Sequence, residues 1–148
     1  MKGAGSRVQE FRVPAGAILP ARLRTAIDSR DTLLNDQVDA VLTEPVTQDG
    51  VELIPAGSVL HGTVVQVTAA TREAPRGSIA LVFSVALHAE TRSRATIRTH
   101  QVAFEAQTPP ELAGTRRADK TPIDVVVPAG STLRLTLAAP LVVAIPIP

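Results

Sequence analysis

The sequence predicts an all-β protein: a single antiparallel β-barrel, or a barrel-like sandwich, of about eight strands over residues 1–148. Three observations carry this. The tripeptide Pro-Ala-Gly recurs at 14–16, 55–57 and 128–130, each time after Val or Ile and before Ala or Ser and a β-rich run. Apolar residues alternate with small or charged ones over several segments, the period of a half-buried strand. No stretch repeats apolar residues at the three-to-four spacing of a long amphipathic helix.

The repeats set the expected connections. Pro presets φ at the first turn position, Ala tolerates the second, and Gly takes the left-handed conformation at the third. This predicts three hairpin loops, each a type I turn closed by a glycine bulge, with Pro14, Gly16, Pro55, Gly57, Pro128 and Gly130 as the structural turn residues. Pairing the flanks sets Phe11 against Leu19, Leu53 against Val59, Val51 against His61, Val125 against Leu133 and Ile123 against Leu135. The third hairpin would also oppose Asp124 and Arg134, a favourable cross-strand charge pair.

Along the chain, Leu19, Ala21, Leu23 and Ile27 alternate with Pro20, Arg22 and Arg24, a strand. A second is read at 37–46. In the third, Ile79, Leu81, Phe83, Val85 and Leu87 face inward, with Ala80, Ser84 and His88 on the other face. A strand at 93–104 loses its alternation near Thr99–Gln101, which predicts a bulge. Residues 105–122, with Pro109, Pro110, Gly114, Arg116, Arg117, Asp119 and Lys120, read as a polar flexible loop. At the end, 141–148 reads as a final strand running into an extended Pro-rich tail, for Pro140, Pro146 and Pro148 interrupt it. The apolar run 135–148 is also shorter than the ~20 residues that a membrane-spanning helix needs.

Composition excludes several function classes. The 148 residues are 45% apolar, enough for one core. Lys+Arg number 15 against 14 Asp+Glu, which argues against a wholesale nucleic-acid binder. There is no Cys, so no thiol chemistry or Cys-based zinc site. With 3 Phe and no Trp or Tyr, a base-stacking platform is not expected. Residues 1–10 carry no apolar run, so no signal peptide is expected.

No catalytic set, metal site or cofactor is predicted. His88 and His100 fall on one outer face but six residues apart on the ladder, roughly 20 Å, too far to share a metal. His61 belongs to another strand and reads as a packed residue. Ser58 and Ser131 follow Pro-Ala-Gly directly, where a hydroxyl is ordinary turn chemistry. The sequence has no nucleophile elbow, P-loop or dinucleotide fingerprint.

Charge and the tail supply the candidate contact residues. From 31 to 71 there is no Lys or Arg, while Asp31, Asp36, Asp39, Glu44, Asp49 and Glu52 are acidic. From 72 to 98 five Arg stand against Glu73 and Glu90. Such polarity steers partners or supports head-to-tail association. Arg94, Arg98, Arg116 and Arg117 are candidates for contact with a partner or polyanion. Leu141, Val143 and Ile145 are candidates for self-association by strand addition.

The stretch Val51-Glu52-Leu53-Ile54-Pro55-Ala56-Gly57-Ser58-Val59-Leu60-His61-Gly62 resembles the I-P-x-G-S-x-L-x-G segment of the C-terminal β-barrel domain of TrbI-like proteins, the scaffold subunits of conjugation and type IV secretion channels. Residues 12–21 resemble that domain's opening P-A-G-T-x-I-P strand, and 36–46 its second strand; the likeness spans about 11–88. It implies a non-enzymatic scaffold barrel of the bacterial envelope or periplasm that packs beside its neighbours, with a protein partner or a homo-oligomer. The family's channel subunits insert a hydrophobic helical hairpin, whereas 105–122 here is polar and Pro-broken. The implied role is therefore an adaptor or assembly subunit, not a pore. The alternative is a barrel that binds a small molecule or a polyanion.

Overall fold

The computed structural model describes residues 8–106 and 122–146. The alternating segments form strands and, among the described residues, there is no helix. In chain order they are β1 (Val8–Val13), β2 (Ile18–Leu23), β3 (Ile27–Asp28), β4 (Gln37–Leu42), β5 (Val46–Gln48), β6 (Val51–Ile54), β7 (Val59–Thr68), β8 (Ser78–Leu87), β9 (Arg94–Thr96), β10 (Val102–Glu105), β11 (Val126–Val127), β12 (Thr132–Thr136) and β13 (Leu141–Pro146).

Seven of these make one curled antiparallel sheet in the order β10-β8-β7-β4-β2-β12, with β9 sharing the β8 edge with β10. Three two-stranded ribbons flank it: β1 with β13, β11 with β3, and β5 with β6. The expected closed barrel is thus a half-barrel, and the described residues form 13 strands rather than about eight. Its two edges touch at a single bridge, Thr99 to Leu137. Closure stops there because the chain bends at Ala138–Ala139 and next reaches Pro140, which has no N–H to continue a ladder. β13 then pairs with β1 instead.

The second correction concerns the repeated turns. Gly16, Gly57 and Gly130 have φ of 95°, 92° and 94°. The N–H groups of Ala17, Ser58 and Ser131 donate to the carbonyls of Pro14, Pro55 and Pro128 at 3.3, 3.2 and 3.2 Å. The proline is therefore the first of four turn residues and the glycine the third, the placement of a type II turn. A type II turn does not match the twist of two paired strands and splays them. The flanks accordingly join different sheets. Phe11 pairs with Val143 rather than Leu19, Leu133 with Ala21 and Leu135 with Leu19, while Ile54 pairs with Val46 across the β5–β6 ribbon. Asp124 does not meet Arg134 but accepts from Ser29 Oγ at 2.7 Å and Ala70 N at 2.8 Å.

The buried faces follow the alternation: Leu19, Ala21 and Leu23 of β2, Val38, Ala40 and Leu42 of β4, Leu60 and Val64 of β7, Leu133 and Leu135 of β12. In β8 the phase changes. Ile79, Leu81 and Phe83 point inward as expected, but the next buried residue is Ala86, and Val85 and Leu87 are half-buried. A bulge causes this, since Gly62 pairs with Phe83 and His61 with Val85, which leaves Ser84 as the extra residue. The break predicted near 99–101 separates β9 from β10. There Thr99, 6% exposed, turns its Oγ1 inward to accept from Phe83 N at 3.0 Å.

Candidate interaction surface

Two of the candidate arginines stand beside the open seam of the half-barrel. Arg94, Thr96, Arg98 and His100 are exposed and alternate with half-buried Ala95 and buried Ile97 and Thr99. This places Arg94 and Arg98 on one outer face, as the alternation predicts. The register to β8 differs by one residue from expectation: Leu87, not His88, stands opposite Arg94. The phase change at Ser84, which turns Ala86 rather than Leu87 inward opposite Ala95, accounts for the slip. Arg116 and Arg117 lie outside the described residues.

Between β9 and β13 lies an open groove of about 570 Å³. Ser93–Thr96 form one wall, Pro140 and Val142–Ala144 the other, and Leu53, Ile54 and Ala86 lie beneath. Val142 is 46% exposed, a large apolar residue left uncovered beside an apolar floor. His88 borders this groove and also a neighbouring cavity of about 260 Å³ that Arg24 and Arg92 line. His88 Nδ1 accepts from Glu90 N and Thr91 N, both at 3.2 Å. Those bonds pin the 88–92 turn.

The tail residues are structural participants. Leu141 is 1% exposed and Val143 is half-buried; Phe11 pairs with Val143 and Gln9 with Ile145 on the β1 ladder. Of the stretch expected as a final strand and extended tail at 141–148, residues 141–146 form a strand paired with β1.

Sequence pairing missed one polar contact. Asp39 of β4 stands directly opposite His61 of β7, and His61 Nδ1 donates to Asp39 Oδ1 at 2.8 Å. Gln37 Nε2 adds a second donor at 3.3 Å. Burial pushes the Asp39 carboxyl up, but the bonds from His61 and Gln37 and the charges of His61 and Arg24 outweigh it and hold it below the usual 3.8. Laying the buried alternation of 38–42 against that of 60–64 would have given this register, had the two strands been known to be neighbours. The pair lines neither the groove nor the cavity at Arg24, and the nearby Thr25 Oγ1 accepts from the Asp39 backbone N–H at 3.1 Å. Among those residues no three His, Asp or Glu side chains gather as a metal site.

The serines are accounted for by packing. Ser58, fully buried, accepts from Ala89 N at 3.0 Å and so ties the second turn to the end of β8. Ser131 Oγ donates to Pro128 O at 2.7 Å within its own turn.

The architecture has a counterpart among solved structures. ComB10 of the Com type IV secretion system of Helicobacter pylori superposes with a TM-score of 0.56, over 87% of this chain and 88% of that one, at 15% sequence identity. At that identity the likeness establishes a shared fold. No protein-family profile matches the chain, and no curated protein matches it by sequence. No helix among the described residues is long and apolar enough to cross a membrane.

Proposed function

We propose that this chain is a non-catalytic structural subunit of a bacterial envelope assembly, a secretion-channel scaffold module that works through protein–protein contacts. The observation that carries the reading is the fold shared with ComB10 over nearly the whole of both chains. The TrbI-like turn-and-strand pattern over about 11–88 supports it from the sequence side. On this reading the chain acts in the periplasm or elsewhere in the cell envelope, and its oligomer or partner complex forms across the open seam and the charge-polarised outer face. The exposure of Arg94 and Arg98 on the seam supports this choice of surface.

A ligand held inside the barrel mouth is the less favoured reading, because Phe83, Leu23, Leu42, Leu60, Leu81, Leu133 and Leu135 are fully buried and fill the interior. The test is molar mass in solution by size exclusion with light scattering, at low and high salt. Refractive-index detection is needed, since the chain has no Trp or Tyr. A discrete oligomer, or a stable complex with a co-expressed envelope protein, is the expected result. A monomer at every salt that also co-purifies with no envelope protein overturns the reading.

A further inference from the structure

The seam where the half-barrel fails to close has the construction of a slot for one more strand. The residues along the β8 edge alternate in what their backbones face. Ser93 O accepts from His88 N at 2.8 Å and Ile97 N donates to Ser84 O at 3.0 Å, so residues 93, 95 and 97 face β8. The even-numbered residues face the other way. Two of them are used: Arg98 O accepts from Ala138 N at 2.7 Å, and His100 N donates to Thr136 O at 2.8 Å. Arg94 and Thr96 continue the same edge, and their outward N–H and C=O groups have no backbone partner among the described residues. Extending the register of 98 with 138 and 100 with 136 would set Thr96 against Pro140 and Arg94 against Val142. The bend at Ala138–Ala139 carries β13 away before that can happen, and the 570 Å³ groove is the space it leaves.

We propose that this slot receives an extended, acidic segment of a partner protein as an added β-strand. The walls favour a peptide, because one is the open backbone edge of β9 and the other is β13, whose alternate residues point their backbone groups away from β1. The floor of Leu53, Ile54 and Ala86 takes the apolar side chains of alternate residues. Charge selects the rest. The groove and the cavity that meets it at His88 are lined by Arg24, Arg92, Arg94 and His88, with no Asp or Glu in either lining. Carboxylates of the incoming strand sit against the guanidinium groups of Arg24, Arg92 and Arg94. The proposal rests on the protein-interaction reading above and supplies the contact surface and the chemistry of the partner.

The probe is a terminally blocked octapeptide, Thr-Val-Thr-Val-Thr-Val-Glu-Glu, compared with the same peptide ending in Lys-Lys and with a version N-methylated at alternate residues. Binding is followed by methyl and amide NMR on the whole chain. The acidic peptide is expected to shift the methyl signals of Val142, Val143 and Ala95 and to protect the Arg94 and Thr96 amides from exchange. The lysine peptide should bind about tenfold more weakly or worse, and the N-methylated one should not bind. Arg92→Glu with Arg24→Glu should reverse the charge preference. Thr96→Pro removes an outward donor without breaking a bond to β8, a place where edge strands tolerate proline; it should abolish binding while the unfolding midpoint stays near that of the parent. Equal binding of the N-methylated peptide, equal binding of both charged peptides, or shifts away from the seam would each overturn the proposal. So would the absence of binding by every peptide, a result that leaves the molar-mass test of the assembly reading standing by itself. An oligomer of this chain that Thr96→Pro dissolves would overturn it too, by making a second copy the occupant.

Discussion

Gly62 offers a sharp test of the packing between β7 and β8. It is buried opposite Phe83, and a Cβ added there would lie 2.5 Å from Val82 O and 2.7 Å from Phe83 Cδ1. Carbon–carbon contacts are at their best at about 3.5–4.0 Å, so Gly62→Ala forces a shift. In open space the same change stabilises a protein by about 0.4–1 kcal/mol through the unfolded chain. Overpacking a closed site costs about 1–3 kcal/mol, and here one of the two obstacles is a backbone carbonyl that cannot rotate away. The expected outcome is a loss of about 1–3 kcal/mol, a fall in Tm of about 2–4 °C per kcal/mol for a chain of this size. Urea unfolding followed by far-UV circular dichroism measures it. Phe83→Leu, combined with Gly62→Ala, should recover only the part of the loss due to the ring, which a double-mutant cycle isolates. A Gly62→Ala variant as stable as the parent, or more so, would refute the close packing of these strands.

Further expectations follow from burial, backbone and charge. Leu141→Ala should cost about 2–5 kcal/mol, the range for a buried leucine, whereas a free tail would tolerate it within about 0.5 kcal/mol; equilibrium unfolding separates the two. Gly57→Val should cost about 1–3 kcal/mol because φ is 92° with open space around the Cβ position, and Gly57→Asn should cost less; equal stability of Gly57→Val and the parent refutes the turn geometry. Asp39 and Asp124 have carboxyls held below 3.8, Asp124 by bonds from Ala70 N and Ser29 Oγ that outweigh its desolvation. Since the folded-state pKa is the lower one, each contributes stability that is present above 3.8 and is lost as pH falls through the folded value. Stability measured from pH 6 downward should therefore fall less steeply in acid for Asp124→Asn than for the parent, and parallel curves would refute the linkage.

The local elements were legible because they depend on neighbours in the chain. Alternation marked Leu19, Ala21 and Leu23 as one face of a strand, and Val38, Ala40 and Leu42 need no tertiary knowledge to read as another. Charge and composition likewise excluded thiol chemistry and stacking platforms without a structure. The seam was legible only in part: Arg94 and Arg98 shared a face as expected, while Arg24 and the 88–92 turn that carries His88 and Arg92 come to it from two distant places in the chain. The mistaken hairpins have a local cause. A Pro-Ala-Gly sequence is compatible with a bulged type I loop or with a type II turn, and the two send the following strand in different directions.

The all-β class, the longer strands and the glycines that punctuate them can be read from the residues in order, since φ preferences and period-two alternation act over a few residues. Strand pairing, the ladder of β13 on β1 and the point at which the sheet stops short of closing are set by the assembled fold. Those outcomes rest on contacts between residues far apart in the chain, such as Phe11 with Val143 and Leu135 with Leu19. Many apolar alternations on one face match one another equally well, and only their joint burial in a single core selects among them.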